Sequence, residues 1–371
     1  MEELKEKKVL GLMSGTSCDS IDACLCTVFP DLTCKLIKGI NYKYPDFIRE
    51  MIFKSFNDEL SLKQICELNF LIGDCFANAS NVLIEEFGKP DFISSHGQTI
   101  YHNPAADTIE NYPLKSTLQI GSGSVIAKKT GCVVYSNFRE GDIALGGQGA
   151  PLVCFADEHW FKNSAVQNIG GISNVTVVSD NCETFGFDTG LGNIMIDYCM
   201  NKYFNLPYDK DGEIAKNGII NEPWLNLLLE DEYYSAEPPK TTGREYFSKN
   251  YIENILKFAP DDPKDIIATL TVLTAKTIYQ AYERFIFPKT SLVQVIVGGG
   301  GAYNKFLMSM LRKYLPKHIE LKTHEDFGIS NNFKEAMAFA LLGYCRHYNI
   351  PNNVPSCTGA SKRTVLGAEY I

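Results

Sequence analysis

Twice in this chain, near residue 10 and again near residue 168, an apolar run stops in a turn rich in Gly, Ser, Thr and Asn. It then returns as a second apolar run: KKVLGLMSGTS before LCTVF, and AVQNIGGISN before VTVVS. A strand, a donor-rich turn and a returning strand form a clasp whose backbone N–H groups and hydroxyls can close round an anion. The two copies are too far apart, and too diverged in letters, for a solenoid repeat. They read instead as two lobes of one kind, each opening with its own clasp.

The rest of the chain agrees with that outline. DFISSHGQT, CVVYSNFREGD and SLVQVIVGGGG are further β-branched runs ahead of glycine-rich turns, while Leu60 to Phe87 and Asp265 to Phe285 carry helical spacing. Strands alternating with helices imply an α/β architecture of sizeable sheets covered by helices. A chain of 371 residues is longer than one core usually organises, and 45% hydrophobic residues can fill two. The boundary is expected between about 160 and 167, giving an N-terminal lobe over 1–165 and a C-terminal lobe over 166–371, with the last residues free to pack back on the first lobe. EPPK at 237–240 cannot continue a regular helix and is expected to be a turn.

A net charge of −9 argues against a general nucleic-acid binder, so an anionic ligand needs a local donor cluster. The twelve cysteines show neither CxxC nor zinc-ligand spacing and read as small buried residues in a reducing compartment. MEELKEKK lacks an apolar leader, and no run of about 18 apolar residues occurs. The expectation is a soluble cytoplasmic protein with no membrane and no nucleic-acid partner.

Which ligand do the turns suit? A Walker A loop is excluded because Gly-Lys-Ser/Thr is missing, and GGGG at 298–301 fails GxGxxG because position 303 is Tyr. GTS at 15–17 and GGISN at 170–174 could wrap phosphate oxygens with amides and hydroxyls, and VIVGGGGAYN at 295–304 offers bare backbone to adenine or ribose. Asp188, in GFDTGLGN, is placed either to cap its own backbone as an Asx turn or to act beside a phosphoryl acceptor, where one carboxylate base is needed. His96 lies at a strand end, as a core histidine or a site residue. Arg139 can clamp a carboxylate or form a surface ion pair, and Glu335 opens an apolar helix, where it can also serve as a first-turn dipole partner.

Eleven segments from residue 11 to 360, in order, resemble the anhydro-N-acetylmuramic acid kinase family: GLMSGTSxDxID, SHGQTIYHNP, TLQIG, DIALGGQGAPL, NIGGISNVT, GFDTGxGN, DKDGEIAKNG, PPKTTGRE, GGGGAYN, EAMAFALL and TGA. That family belongs to the actin, sugar kinase and Hsp70-like superfamily, whose two ribonuclease-H-like lobes bind ATP in the cleft between them. The resemblance implies phosphate donors at Gly15, Thr16 and Ser17, with Asp19 or Asp22 organising Mg²⁺ through water. It implies a second phosphate turn at Gly170, Gly171 and Asn174, and an adenosine end at Gly298, Gly299, Gly300 and Asn304. Asp188 becomes the base that activates water as ATP phosphorylates O6 of 1,6-anhydro-N-acetylmuramic acid, giving N-acetylmuramic acid 6-phosphate in peptidoglycan recycling. Arg139 is the candidate for the lactyl carboxylate; His96, Gln98, Asp142, Gln148 and Glu335 are sugar contacts by motif position; and a homodimer is the family precedent.

Three places depart from the family pattern. Cys18 and Ser20 replace a Leu and a Gly in the first loop, Leu191 replaces a Pro, and Asn137 replaces an Asp ahead of Phe138 and Arg139. Asp188 and the main glycine turns are kept. The departures leave open a kinase for a different sugar, or a non-catalytic nucleotide or wall-fragment sensor of the same fold.

Overall fold

The computed structural model describes residues 3–15, 18–243 and 246–371, apart from the side chains of 106 and 107. Its strands are β1 (Lys7–Ser14), β2 (Ile21–Val28), β3 (Cys34–Tyr42), β4 (Phe92–Ile109), β5 (Tyr112–Ile120), β6 (Val134–Ser136), β7 (Ser164–Ile169), β8 (Ile172–Ser179), β9 (Cys182–Leu191), β10 (Gln294–Gly298), β11 (Glu320–Thr323) and β12 (Ala368–Tyr370). Two compact units emerge. One takes the chain up to Trp160 together with Gly328–Ile371; the other is Phe161–Phe327.

Within the first unit, β1, β2 and β3 form an antiparallel meander, β4 runs parallel to β1, and β6 runs parallel to β4. β5 folds back on β4, and β12 closes the far edge against β6. Within the second unit, β7, β8 and β9 form the meander, β10 runs parallel to β7, and β11 parallel to β10. Numbered within each unit, both sheets begin 3-2-1-4; the second continues to its fifth strand, β11, whereas the first continues to its sixth, β6, with β5 set off the path as a hairpin on β4. The two clasps read from the sequence are the β1–β2 and β7–β8 turns, so the duplication of pattern is a duplication of topology.

The helix Leu62–Phe87 starts at a capping box between Ser61 and Gln64 and stops at Gly88, whose φ of 76° is costly for other residues. Its buried face, including Leu68, Ile72, Phe76 and Leu83, packs on the sheet; each such side chain contributes roughly 1.5–3 kcal/mol. The helix Lys334–His347 is buried almost throughout and packs against β1, β2 and β4. Gly11 permits that approach, since a Cβ there would lie 2.0 Å from the Ala336 carbonyl oxygen. In the second unit the helix Pro263–Ala281 begins at the Asp262 cap with proline in its first turn and is buried along most of its length. Its Thr274 hydroxyl donates to the Gly192 carbonyl at 2.9 Å, tying this core helix to the turn after β9.

β3 and β5 are not evident in the sequence pattern. The lysines of CKLIKGINY and the half-exposed residues of YPLKSTLQI blur the period-two signal that a one-sided strand should show. The twelve cysteines are thiols outside any disulfide, and nine are buried, as small apolar residues would be.

Candidate functional site

In the first unit, side chains from β4, the short helix Phe138–Ala144 and the helix Lys334–His347 supply the expected sugar-site residues. His96 is buried. Arg139 Nε, which can only donate, meets its Nε2 at 2.9 Å, so Nδ1 carries the proton and donates to the Gly97 carbonyl at 2.8 Å. Burial, then the neighbouring guanidinium, holds the imidazole well below its usual pKa, and the ring is neutral. Arg139 is half-buried and also donates to the Gly149 carbonyl at 2.8 Å. Glu335 is reached by water but closely surrounded by protein. That desolvation pushes its carboxyl pKa up, against the pull of Lys334 and Arg139.

Two other expected contacts turn out to be internal. Gln98 is fully buried; it accepts from Ser14 Oγ at 2.6 Å and donates to the Gly15 and Thr99 carbonyls. Asp142 is fully buried, taking Gly149 N–H (2.9 Å) on Oδ2, and Asn353 Nδ2 (3.1 Å) and the Thr358 hydroxyl (2.8 Å) on Oδ1. Gln148 is anchored by its N–H to the Thr358 carbonyl at 2.7 Å, while its side chain is exposed.

Around the first clasp, Thr16 and Ser17 lie outside the described residues. Gly15 has open space on its Cβ side. Asp19 is exposed and paired with Arg49 at 2.6 Å, whereas Asp22 accepts from Asn41 (2.6 Å) and Ser20 (3.4 Å), with its carboxyl pKa raised by burial. The departures have local reasons. Asn137 adopts φ 59°, a region asparagine tolerates, and donates to the Tyr370 hydroxyl at 3.1 Å. Leu191 pairs with Ile172 and is buried in the core, and Cys18, at φ 55°, is wholly buried.

The second clasp is braced by hydrogen bonds to the turn after β9. Its carbonyls face the start of the helix Ile194–Phe204: Gly171 accepts from Gly192 (3.0 Å) and Ile194 (3.1 Å), and Gly170 from Asn193 (2.8 Å). A Cβ on Gly192 would lie 2.3 Å from the Gly170 oxygen, so only glycine fits there. Buried Gln167 braces the hairpin from beneath, donating to Ser173 Oγ and the Asn174 carbonyl and accepting from Tyr282. Asn174 and Asp188 are register partners across β8 and β9, so clasp and aspartate share one platform.

Three contacts from one segment hold Asp188. Its N–H donates to the Lys240 carbonyl (3.1 Å), its carbonyl accepts from the Tyr233 hydroxyl (2.9 Å), and its Oδ2 accepts from Thr242 N–H (2.8 Å). Through this last bond a backbone 54 residues further on orients the carboxylate. A carboxylate held in one orientation in this way can accept a proton from a nucleophile placed beside it.

Beside the Gly298–Gly300 turn lies a cavity of about 440 Å³, lined by Asp197, Tyr208, Gly300, Tyr303 and Asn304 among others. Its size falls in the ~300–1,000 Å³ range of small-ligand sites. Asp209 fixes one wall by capping Ile214 and Ala215 (both 2.9 Å), and Asn304 caps the helix Lys305–Tyr314 through Leu307 N–H. Burial pushes the Asp197 carboxyl up to about 6. Asp197, Tyr208, Tyr233, Lys240 and Thr242 were not singled out from the sequence. The signal for Lys240 and Thr242 is PPKTTGRE itself, one of the eleven segments that carry the resemblance, downstream of paired tyrosines.

The family model described as anhydro-N-acetylmuramic acid kinase matches residues 7–371. An anhydro-N-acetylmuramic acid kinase of Caldanaerobacter subterraneus is 42% identical, covering 98% of this chain and 96% of its own length. One from Francisella tularensis is 44% identical, covering 97% and 98%. Among solved structures, gluconate kinase from Lactobacillus acidophilus aligns with TM-score 0.50 at 10% identity, covering all of this chain and 94% of its own, a likeness of fold.

Proposed function

The chain belongs to the anhydro-N-acetylmuramic acid kinase family, phosphotransferases with an alcohol acceptor, and from that premise we propose the following reaction and residue roles. ATP, 1,6-anhydro-N-acetylmuramic acid and water give ADP and N-acetylmuramic acid 6-phosphate. Water adds at C1, the C1–O6 bond breaks, O6 takes the γ-phosphoryl group, and the proton of the attacking water passes to Asp188. The observation that carries this reading is the three-point clamp on Asp188, on the same platform as a clasp suited to phosphate.

Gly15, Thr16 and Ser17, with Gly170, Gly171 and Asn174, hold phosphates; Gly300 and Asn304 line the adenosine cavity, with Gly298 and Gly299 in the turn that leads to it. Neutral His96 and the Gly149 carbonyl fix two donors of Arg139, pre-aiming the guanidinium for the lactyl carboxylate. Gln148 and Glu335 keep side chains open to the sugar, whereas Gln98 and Asp142 act by holding the loops. Asp22 is the better candidate for a Mg²⁺ water shell, because a dication favours a carboxylate that burial disfavours, while Asp19 is already paired with Arg49. Bound with nucleotide, Mg²⁺ neutralises phosphate charge. A place in peptidoglycan recycling, a cytoplasmic location and a homodimer rest on the family resemblance.

Asp188→Asn tests the reading. Turnover, followed by ADP release, is expected to fall by ~10²–10⁴-fold with ATP binding retained. Mass spectrometry of the wild-type product should show a gain of one phosphate and one water. Full activity in the variant would refute the role of Asp188.

A further inference from the structure

The segment that clamps Asp188 contains a buried cation. Lys240, next to Pro239, is 8% exposed, and its ammonium donates to the carbonyls of Tyr233 (3.0 Å) and Tyr234 (3.4 Å). Its Nζ lies 4.7 Å from the ring centroid of Tyr233 and 5.1 Å from that of Phe285. Among the described residues, carbonyls and ring faces hold this charge rather than a carboxylate in contact with it. Burying an ammonium is costly, and an apolar side chain could fill the same space, so packing alone gives no reason for the charge.

The contacts converge on the aspartate. Tyr233 takes the ammonium on its carbonyl, lies face-on to it, and sends its hydroxyl to the Asp188 carbonyl. Lys240 receives the Asp188 N–H on its own carbonyl, and two residues further on Thr242 N–H reaches the carboxylate. We propose that protonated Lys240 is a positioning residue for the general base: its ammonium locks the Tyr233–Thr242 segment round Asp188, and its charge favours the ionised carboxylate. This rests on the reading of Asp188 as the base.

Among the described residues, the charged and titratable groups round Lys240 are Arg284 on the π-turn Tyr282–Ile286, Asp188 on β9, and the Tyr233 hydroxyl. Asp231 lies further along the segment, taking the Tyr246 and Tyr251 hydroxyls. Burial and then Arg284 pull the ammonium down to about 8, while Asp188 raises it. The lysine is therefore charged at neutral pH and loses its proton within reach of mildly alkaline conditions. Without its charge, Asp188 should bind a proton more readily, moving the acid limb of the rate profile to higher pH.

The experiment compares wild type, Asp188→Asn, Lys240→Met and Lys240→Arg for kcat, both KM values and the pH profile between about 5.5 and 9.5. Lys240→Met is expected to lower kcat by ~10–100-fold with both KM values within about threefold, the scale of a slightly misplaced catalytic group. Its acid limb should move up by about half a unit to one unit. Lys240→Arg should keep kcat within about fivefold and abolish a several-fold fall in wild-type kcat above pH ~8, because arginine stays charged. An inactive Asp188→Asn together with Lys240→Met of wild-type kcat and acid limb overturns the role of Lys240 alone. Activity in Asp188→Asn overturns the underlying assignment and this role with it. If Lys240→Met fails to fold, the other profiles decide: an alkaline fall in wild type that is missing in Lys240→Arg supports the role, and flat profiles in both overturn it.

Discussion

Asp142→Asn separates a residue that touches the sugar from one that builds the loop. The carboxylate is fully buried, with Gly149 N–H on one oxygen and Asn353 Nδ2 and the Thr358 hydroxyl on the other. Asparagine keeps the shape but replaces one acceptor with a donor. If the new NH₂ faces Gly149, a backbone N–H loses its acceptor; if it faces the other way, Asn353 does, since the Thr358 hydroxyl can rotate. One stranded buried donor costs about 1–3 kcal/mol, the surviving bonds lose their charge assistance, and removing a buried charge offsets part of this. A net loss of about 2 kcal/mol corresponds to a melting point roughly 4–8 °C lower for a unit of this size. The assay is thermal melting by circular dichroism, with KM for the sugar measured on the same preparations well below the transition. A variant that melts within about 1 °C of wild type but whose sugar KM rises tenfold or more would show that Asp142 meets the substrate directly, and the loop-holding argument would be wrong.

Asp197→Asn should strengthen the fold while weakening nucleotide binding. Its carboxyl is raised by burial to about 6, so its contribution to stability is fully present below the unfolded carboxylate pKa near 4, declines as pH rises to about 6, and is absent above. Allowing for partial exposure, the neutral variant is expected to gain ~1 kcal/mol in urea unfolding at pH 7.5 and to lose it at pH 4, with KM for ATP increased; equal stabilisation at both pH values would contradict the burial argument. Gly192→Ala forces the clasp carbonyls aside and should cost about 1–3 kcal/mol in denaturant unfolding, together with a higher ATP KM; an unchanged unfolding midpoint would mean the turn tolerates the methyl group.

Much of the scaffold was readable because its signals are local. The runs that became β1, β7 and β10 are apolar and stop at glycine, β8 starts directly after Gly171, and the helix over 62–87 has both its capping box and its closing glycine in the letters. β3 and β5 escaped because one-sided strands carrying lysines lack a clean alternation. For the candidate site, the motif letters point to Asp188, Arg139 and Glu335, but do not separate a residue open to a ligand from one that holds a loop, as Gln98 and Asp142 do. That distinction depends on where Gly15, Asn353 and Thr358 arrive in space. Likewise the clamp on Asp188 comes from Tyr233, Lys240 and Thr242, some 45–54 residues away, beyond the reach of any local pattern.

The first unit is split in sequence, with Gly328–Ile371 returning to it, while Phe161–Phe327 is continuous. On a ribosome the early strands β1, β2 and β4 emerge long before the helix Lys334–His347 that covers them. At ~5–20 residues per second the interval from the end of β4 to the start of that helix is roughly 11–45 s, during which the second unit can fold complete while the first waits with an apolar sheet face bare. A nascent chain of this design is therefore most in need of chaperone cover in the middle of its synthesis. Glu335, on that late helix, takes its place after Asp188, which the second unit has already positioned.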